Sequence, residues 1–171
     1  MPRRRRSGRR RSRRRRLPEG PPSVAEAYEL ALKALGRKER TESELAHWLT
    51  ERGVEEAERI EVLTRLVEDG SIDDERFARR YAEDKRELAG WGPERIREAL
   101  SSRGISADLI EAALAAESED EVVARASALL ARSGTEVADE RGRKRALAQL
   151  ARRGFPLEAA YDAVRALERN G

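Results

Sequence analysis

Side chains that could do chemistry are few in this sequence, and their spacing assembles no reactive centre. Cysteine is absent and His47 is the single histidine, which removes cysteine nucleophiles, disulfides and thiolate or multi-histidine metal sites. Asp69, Ser71 and Asp73 alternate as at the start of a calcium loop. The pattern then fails, because Asp74 stands where the turn needs glycine and Arg80 where a bidentate glutamate would close the shell. The pairs Glu55-Glu56 and Asp73-Asp74 fall at expected helix starts, where the helix dipole accounts for them. No GxxxxGK[ST] or GxGxxG stretch offers a phosphate cradle. The chain reads as a binder rather than an enzyme, with no cofactor and no metal.

The residue type present in excess is arginine. Residues 1–16 contain Arg3, Arg4, Arg5, Arg6, Arg9, Arg10, Arg11, Arg13, Arg14, Arg15 and Arg16 and no acid. These eleven of the 36 basic residues conceal an acidic remainder, 25 basic against 33 acidic side chains, so the overall +3 divides into a polyarginine tail and a body near −8. A like-charged block without apolar residues cannot offset the entropy of ordering, so residues 1–22 are expected to be a disordered tail. Its chemistry is that of sequence-independent contact with phosphates, which releases counterions and weakens steeply with salt. Contact with the acidic body, or a contribution to solubility alone, is the competing reading.

The elements behind the tail follow one pattern. Gly53, Gly104 and Gly154 each follow an arginine (Arg52, Arg103, Arg153) at intervals of 51 and 50 residues. The apolar residue four before each glycine is Leu49, Leu100 and Leu150; the one after it is Val54, Ile105 and Phe155; the one ten after it is Leu63, Leu114 and Val164. An Arg-Gly pair by itself is a helix stop, since glycine takes the left-handed conformation cheaply and arginine suits the negative end of the helix dipole. Three stops in one apolar register predict a helical repeat whose units bury their faces on each other.

Taken in order, Ser23 caps a helix with the apolar stripe Ala27, Leu30, Ala31, Ala34 and Leu35; Thr41 to Glu44 is a capping box opening a second; and a third carries Ile60, Leu63, Leu66 and Val67. Asp73 caps the next helix, Pro93 starts the one after the interruption at Ala89–Gly92, and a third runs from about Ser106. Ser118 to Glu121 is another capping box, followed by helices from about Asp139 and from Pro156. The expected fold is all-α: three tandem three-helix repeats at 23–70, 71–117 and 118–171, forming an elongated curved array. No apolar run approaches the roughly 20 residues that cross a bilayer, and the N-terminus lacks an apolar signal core. A cytoplasmic location is expected.

The body resembles the RecX family, regulators of the RecA recombinase. The resemblance rests on Ala31-Leu32 to Leu35, Arg40-Thr41-Glu42-Ser43-Glu44-Leu45, Leu49 and Arg52-Gly53. It continues through Leu63, Leu66 and Gly70-Ser71-Ile72-Asp73-Asp74-Glu75-Arg76-Phe77-Ala78 to Gly92, Arg95-Ile96, Leu100 and Arg103-Gly104-Ile105. It covers about 25–168, most specifically at IDDERFA, and is looser in the third unit. It implies a protein that lies in the groove of a RecA filament on single-stranded DNA and inhibits ATP hydrolysis, filament extension and strand exchange by occupancy. A monomer is expected. The arginine tail lies outside the family pattern.

Candidate contacts are basic side chains near helix ends and turns: Arg37, Lys38, Arg40, Arg79, Arg80, Lys85, Arg86, Arg95, Arg97, Arg143, Lys144, Arg145, Arg152 and Arg153. The filament-binding candidates retained are Arg79, Arg80, Lys85, Arg86, Arg95, Arg143, Lys144, Arg145, Arg152 and Arg153. The group from Arg143 to Arg153 is favoured because few acids lie near it in sequence. Against any one of them stands pairing with neighbouring acids at helical spacing, worth a few tenths of a kcal/mol and unrelated to binding. Trp91, between glycines, suits either an exposed contact that stacks on a base or packing between units. The alternatives are a helical DNA-binding protein acting through its tail, and a purely structural scaffold.

Overall fold

The structure, a computed structural model, describes residues 20–170. The eleven tail arginines, and so the expectation of a disordered phosphate-binding segment, lie outside the described residues. Among the described residues the chain forms α1 (Val24–Leu35), α2 (Glu42–Thr50), α3 (Glu56–Glu68), α4 (Asp74–Glu87), α5 (Pro93–Ser102), α6 (Ala107–Leu114), α7 (Glu119–Arg132), α8 (Glu140–Arg153) and α9 (Leu157–Asn170), with no strand. None of these helices is long and apolar enough to cross a membrane.

Local chemistry sets the boundaries. Ser23, Thr41 and Ser118 close full capping boxes with Glu26, Glu44 and Glu121. The Asp73 carboxylate accepts the Arg76 N–H, and that of Asp139 accepts the Gly142 N–H, at 2.8 and 2.7 Å. The acids that suggested a calcium loop are therefore engaged: Asp73 caps α4, and Asp69 accepts the Ser71 N–H at 2.8 Å and the Tyr28 hydroxyl. Gly53, Gly104 and Gly154 stand at φ of 74°, 80° and 81°, the region glycine adopts without a Cβ penalty.

Three separate cores result, one in α1–α3, one in α4–α6 and one in α7–α9. Leu49, Leu100 and Leu150 are each fully buried, and Val54, Ile105 and Phe155 nearly so, so the register read from the glycines is the register of the cores. One face differs from expectation. Ile60 and Val67 are exposed, and α3 packs through Val62, Leu63 and Leu66. Val62 lies about 200° around the helix from Ile60, so both cannot face one core.

The Arg-Gly turns do more than stop helices. At the first joint the end of α5 sits on the start of α2: the buried Thr41 hydroxyl donates to the Arg103 carbonyl at 2.7 Å, and Arg103 grips Glu44 through two bonds of 2.8 and 2.9 Å. At the second, the end of α8 sits on the start of α5: the Gly92 and Glu94 N–H groups donate to the carbonyls of Arg153 and Gly154 at 2.7 and 3.0 Å. The second helix of each later unit thus presents terminal carbonyls to the helix start of the unit before it, to the Thr41 hydroxyl at the first joint and to two amides at the second.

Burial alone would raise the Glu44 carboxyl, yet the hydrogen bonds and charge of Arg103, with the Thr41 N–H, hold it below its ordinary range. Its contribution is therefore complete above its unfolded pKa and lost as pH falls through the folded value. Asp74 at the same joint, raised mainly by burial, acts oppositely: it favours the fold at low pH and loses this as pH rises through its folded value. Glu44→Gln is expected to cost about 1–2 kcal/mol near pH 7. That difference should shrink towards zero below about pH 4, as read from urea midpoints of both proteins across pH.

Candidate functional site

The described surface holds basic residues in two conditions, those consumed by the fold and those left facing outward. Arg86 differs from expectation: its side chain is 13% exposed, with Nε 3.3 Å from Glu117 Oε2 and Nη2 donating to the Ala113 carbonyl at 2.7 Å. That Nε contact has ion-pair distance without hydrogen-bond alignment. Arg153 is likewise structural, donating to the Ala89 carbonyl at 2.8 Å. Arg97 is held by Glu111 and Glu94, which raise its already high pKa further.

One acid distant in sequence and one a helical turn away reach the favoured group. Arg143 pairs with Glu168 of α9, and Lys144 with Glu140 at 2.7 Å, so this stretch is not poor in neighbouring acids. Arg79 and Arg80 remain largely exposed beside Glu75 and Glu39, at 3.9 and 3.5 Å. Lys85 lies 5.0 Å from both the Tyr81 and Trp91 ring centres. Trp91 is half-buried, stacked under Arg95 at 4.2 Å, and its carbonyl accepts Arg125 Nη1 at 2.7 Å, so it packs at the joint between units two and three. His47 is exposed beside Glu51, 3.6 Å away.

What remains is a stripe on α8. Arg141, Arg145 and Arg152 stand at i, i+4 and i+11, within about 40° of one another around the helix and over about 16 Å of its axis. All three are exposed and make no ion pair among the described residues. Arg152 lines an open cleft of about 910 Å³ between α5 and α8, with Arg95, Arg97, Ser101 and the acids Glu94 and Glu98. Arg95 is fixed at that rim by Trp91 and by its bond of 3.2 Å to the Arg152 carbonyl. The arrangement suits planar, hydrogen-bonding recognition of phosphates or carboxylates. Arg141 was missed in the sequence reading, although its helical spacing to Arg145 and Arg152 was there to be counted.

The structure joins Arg95, Arg145 and Arg152 at one edge, and leaves Arg79 and Arg80 on α4. Among the described residues no group of acids and histidines is arranged to hold a metal.

Family models for the first and second three-helix domains of RecX match residues 27–66 and 73–114. Proteins named Regulatory protein RecX include one from Geobacillus kaustophilus, 36% identical over 138 residues, covering 79% of this chain and 51% of that protein. Another, from Mycobacterium marinum, is 34% identical over 154 residues, covering 84% and 89%. The chain spans about half the length of the relatives from Geobacillus kaustophilus and Leuconostoc citreum, 51% and 53%. The crystal structure of RecX from Lactobacillus salivarius superposes with a TM-score of 0.78 over 85% of this chain and 97% of that one at 21% identity, a likeness of fold. A second crystal structure, of a regulatory protein RecX, is 25% identical with a TM-score of 0.71, covering 84% and 71%. With two successive family domains and relatives above 30% identity of which it covers as much as 89%, this chain belongs to the RecX family.

Proposed function

We propose that the chain regulates the RecA recombinase by binding its filament on single-stranded DNA, and that it inhibits ATP hydrolysis, filament extension and strand exchange by occupying the filament. The support is the family membership, joined to a row of outward arginines on α8 that the fold does not consume. The protein carries out no reaction of its own and needs no cofactor; it acts as a monomer in the cytoplasm. The α8 stripe and Arg95 make the principal contacts, Arg79, Arg80 and Lys85 accessory ones, and the arginines between residues 3 and 16 tether the protein to nearby phosphates.

A helical DNA-binding protein without a recombinase partner is the second reading, favoured by the tail itself. The acidic first turns of α3, with Glu55, Glu56 and Glu58, would repel phosphate. That leaves the tail and α8 to supply the attraction. Anisotropy of the labelled protein on preformed filaments and on bare single strands separates the two. The triple change Arg141→Glu, Arg145→Glu, Arg152→Glu is expected to weaken filament binding about tenfold or more. Removing residues 1–22 is expected to lower bare-DNA affinity and its salt slope while filament binding persists. Filament binding that vanishes with the tail would favour the second reading.

A further inference from the structure

The two joints define a connector that occurs a third time with nothing on it among the described residues. In each joint an Arg-Gly turn at the end of a unit's second helix is pressed on the first turn of the preceding unit's second helix. The fit is close. A Cβ on Gly104 would stand 2.4 Å from the Ser43 Cβ, and one on Gly154 would stand 2.4 Å from the Arg95 Cβ. Arg52-Gly53 at the end of α2 has the same sequence and the same left-handed glycine, at φ 74°, but a Cβ on Gly53 would meet nothing within 4 Å. Among the described residues the Arg52 and Gly53 carbonyls accept no backbone hydrogen bond outside a helix, whereas the Arg153 and Gly154 carbonyls each accept one. The Arg52 guanidinium is folded back on its own helix, 3.5 Å from the Trp48 ring and bonded to the Trp48 carbonyl at 3.0 Å, while its counterpart Arg103 reaches across to Glu44.

The complementary half is closed at the other end of the chain. The receiving position in unit three is the start of α8, where a Cβ on Gly142 would stand 2.3 Å from the carbonyl oxygen of Glu136 in the chain's own loop. The Gly142 amide is taken by Asp139. The receiving positions at Thr41 and Gly92 are filled by units two and three. A second copy therefore has no open receptor for this turn, and residues 1–16 of the tail hold no carboxylate to pair with Arg52.

We propose that Arg52-Gly53, with Trp48 beneath it, is a docking end that receives the first turn of a partner protein's helix, one with a hydroxyl N-cap and a carboxylate at its third residue, as in the chain's own Thr41-to-Glu44 box. The helix's cap hydroxyl donates to the terminal carbonyl of α2, as Thr41 does to that of Arg103, and its carboxylate draws Arg52 off Trp48 into a two-bond pair of the Arg103–Glu44 kind. This rests on the reading of a RecA filament as partner, so that the helix start belongs to a RecA subunit.

The test places a photo-crosslinker in the full chain as Glu51→p-benzoylphenylalanine, beside the turn, with purified RecA filaments as the probe. Crosslinked peptides are mapped by mass spectrometry, and filament affinity is measured for Arg52→Glu and Arg52→Lys. The expected result is crosslinks to the first turn of a RecA helix bearing an acid. Affinity should fall about tenfold for Arg52→Glu and less for Arg52→Lys, with both variants still folded and their unfolding midpoints lowered only by the lost Trp48 contact and the changed charge at the helix end. Crosslinks to a second copy or to a non-helical RecA segment, or full affinity in Arg52→Glu while the wild type binds, would overturn it. A wild type that fails to bind filaments sinks the underlying reading instead, a distinguishable outcome.

Discussion

Gly154→Ala should destabilise the protein by about 2–4 kcal/mol, whereas the same change at Gly53 should cost only about 1 kcal/mol. Both glycines have positive φ, 81° and 74°, so the intrinsic penalty of a Cβ in the left-handed region is shared. The difference comes from what the methyl group meets. At Gly154 it lands 2.5 Å from the Arg95 amide nitrogen and 2.9 Å from its Cα, atoms of a helix that cannot move aside; at Gly53 it enters open space. Relief requires α8 to back away from α5, which sacrifices the bonds from Gly92 and Glu94 to Arg153 and Gly154. Urea unfolding of both variants, with distance labels on units two and three, measures the effect. Equal costs would mean that the joint is not the rigid contact described.

Glu117→Ala should be of similar or greater size, about 3–5 kcal/mol. Glu117 lies in the link between α6 and α7 with its side chain only 10% exposed, and takes arginines from both sides of the second joint. Arg125 of unit three donates to it at 2.6 and 2.9 Å, and Arg86 of unit two lies 3.3 Å away. Removing the carboxylate leaves two guanidinium groups largely out of water with one less partner each. Glu117→Gln, which keeps an acceptor, should cost less. On the open surface, Glu61→Ala breaks a pair with Arg65 in which both side chains are at least half exposed, and should stay within about 1 kcal/mol. Thermal or urea unfolding of the three variants ranks them, and a Glu117→Ala protein as stable as Glu61→Ala would refute the hub.

The helices were legible because their signals are local. Capping boxes at Ser23, Thr41 and Ser118, proline at the first turn of α5, and glycines after Arg52, Arg103 and Arg153 each act within one or two turns. The repeating leucines reported the cores for the same reason. Contacts between units were not legible, since nothing within a turn of Arg103 announces Glu44, 59 residues away, and nothing near Arg143 announces Glu168. Basic residues therefore looked alike in sequence although Arg86 and Arg153 are bound into the fold and Arg145 and Arg152 face outward. Arg141 is the exception, because helical spacing alone places it on their stripe.

Regulation of RecA by occupancy of the filament should be read out first in single-stranded-DNA-dependent ATP hydrolysis by the cognate RecA. Full-length protein and residues 23–171 are added separately, with DNA in amounts that rule out its sequestration by the tail. Inhibition by both at less than one protein per RecA subunit is the predicted result, with the α8 triple variant markedly weaker. Undiminished hydrolysis with the body, alongside DNA binding that follows the arginine tail alone, would contradict it.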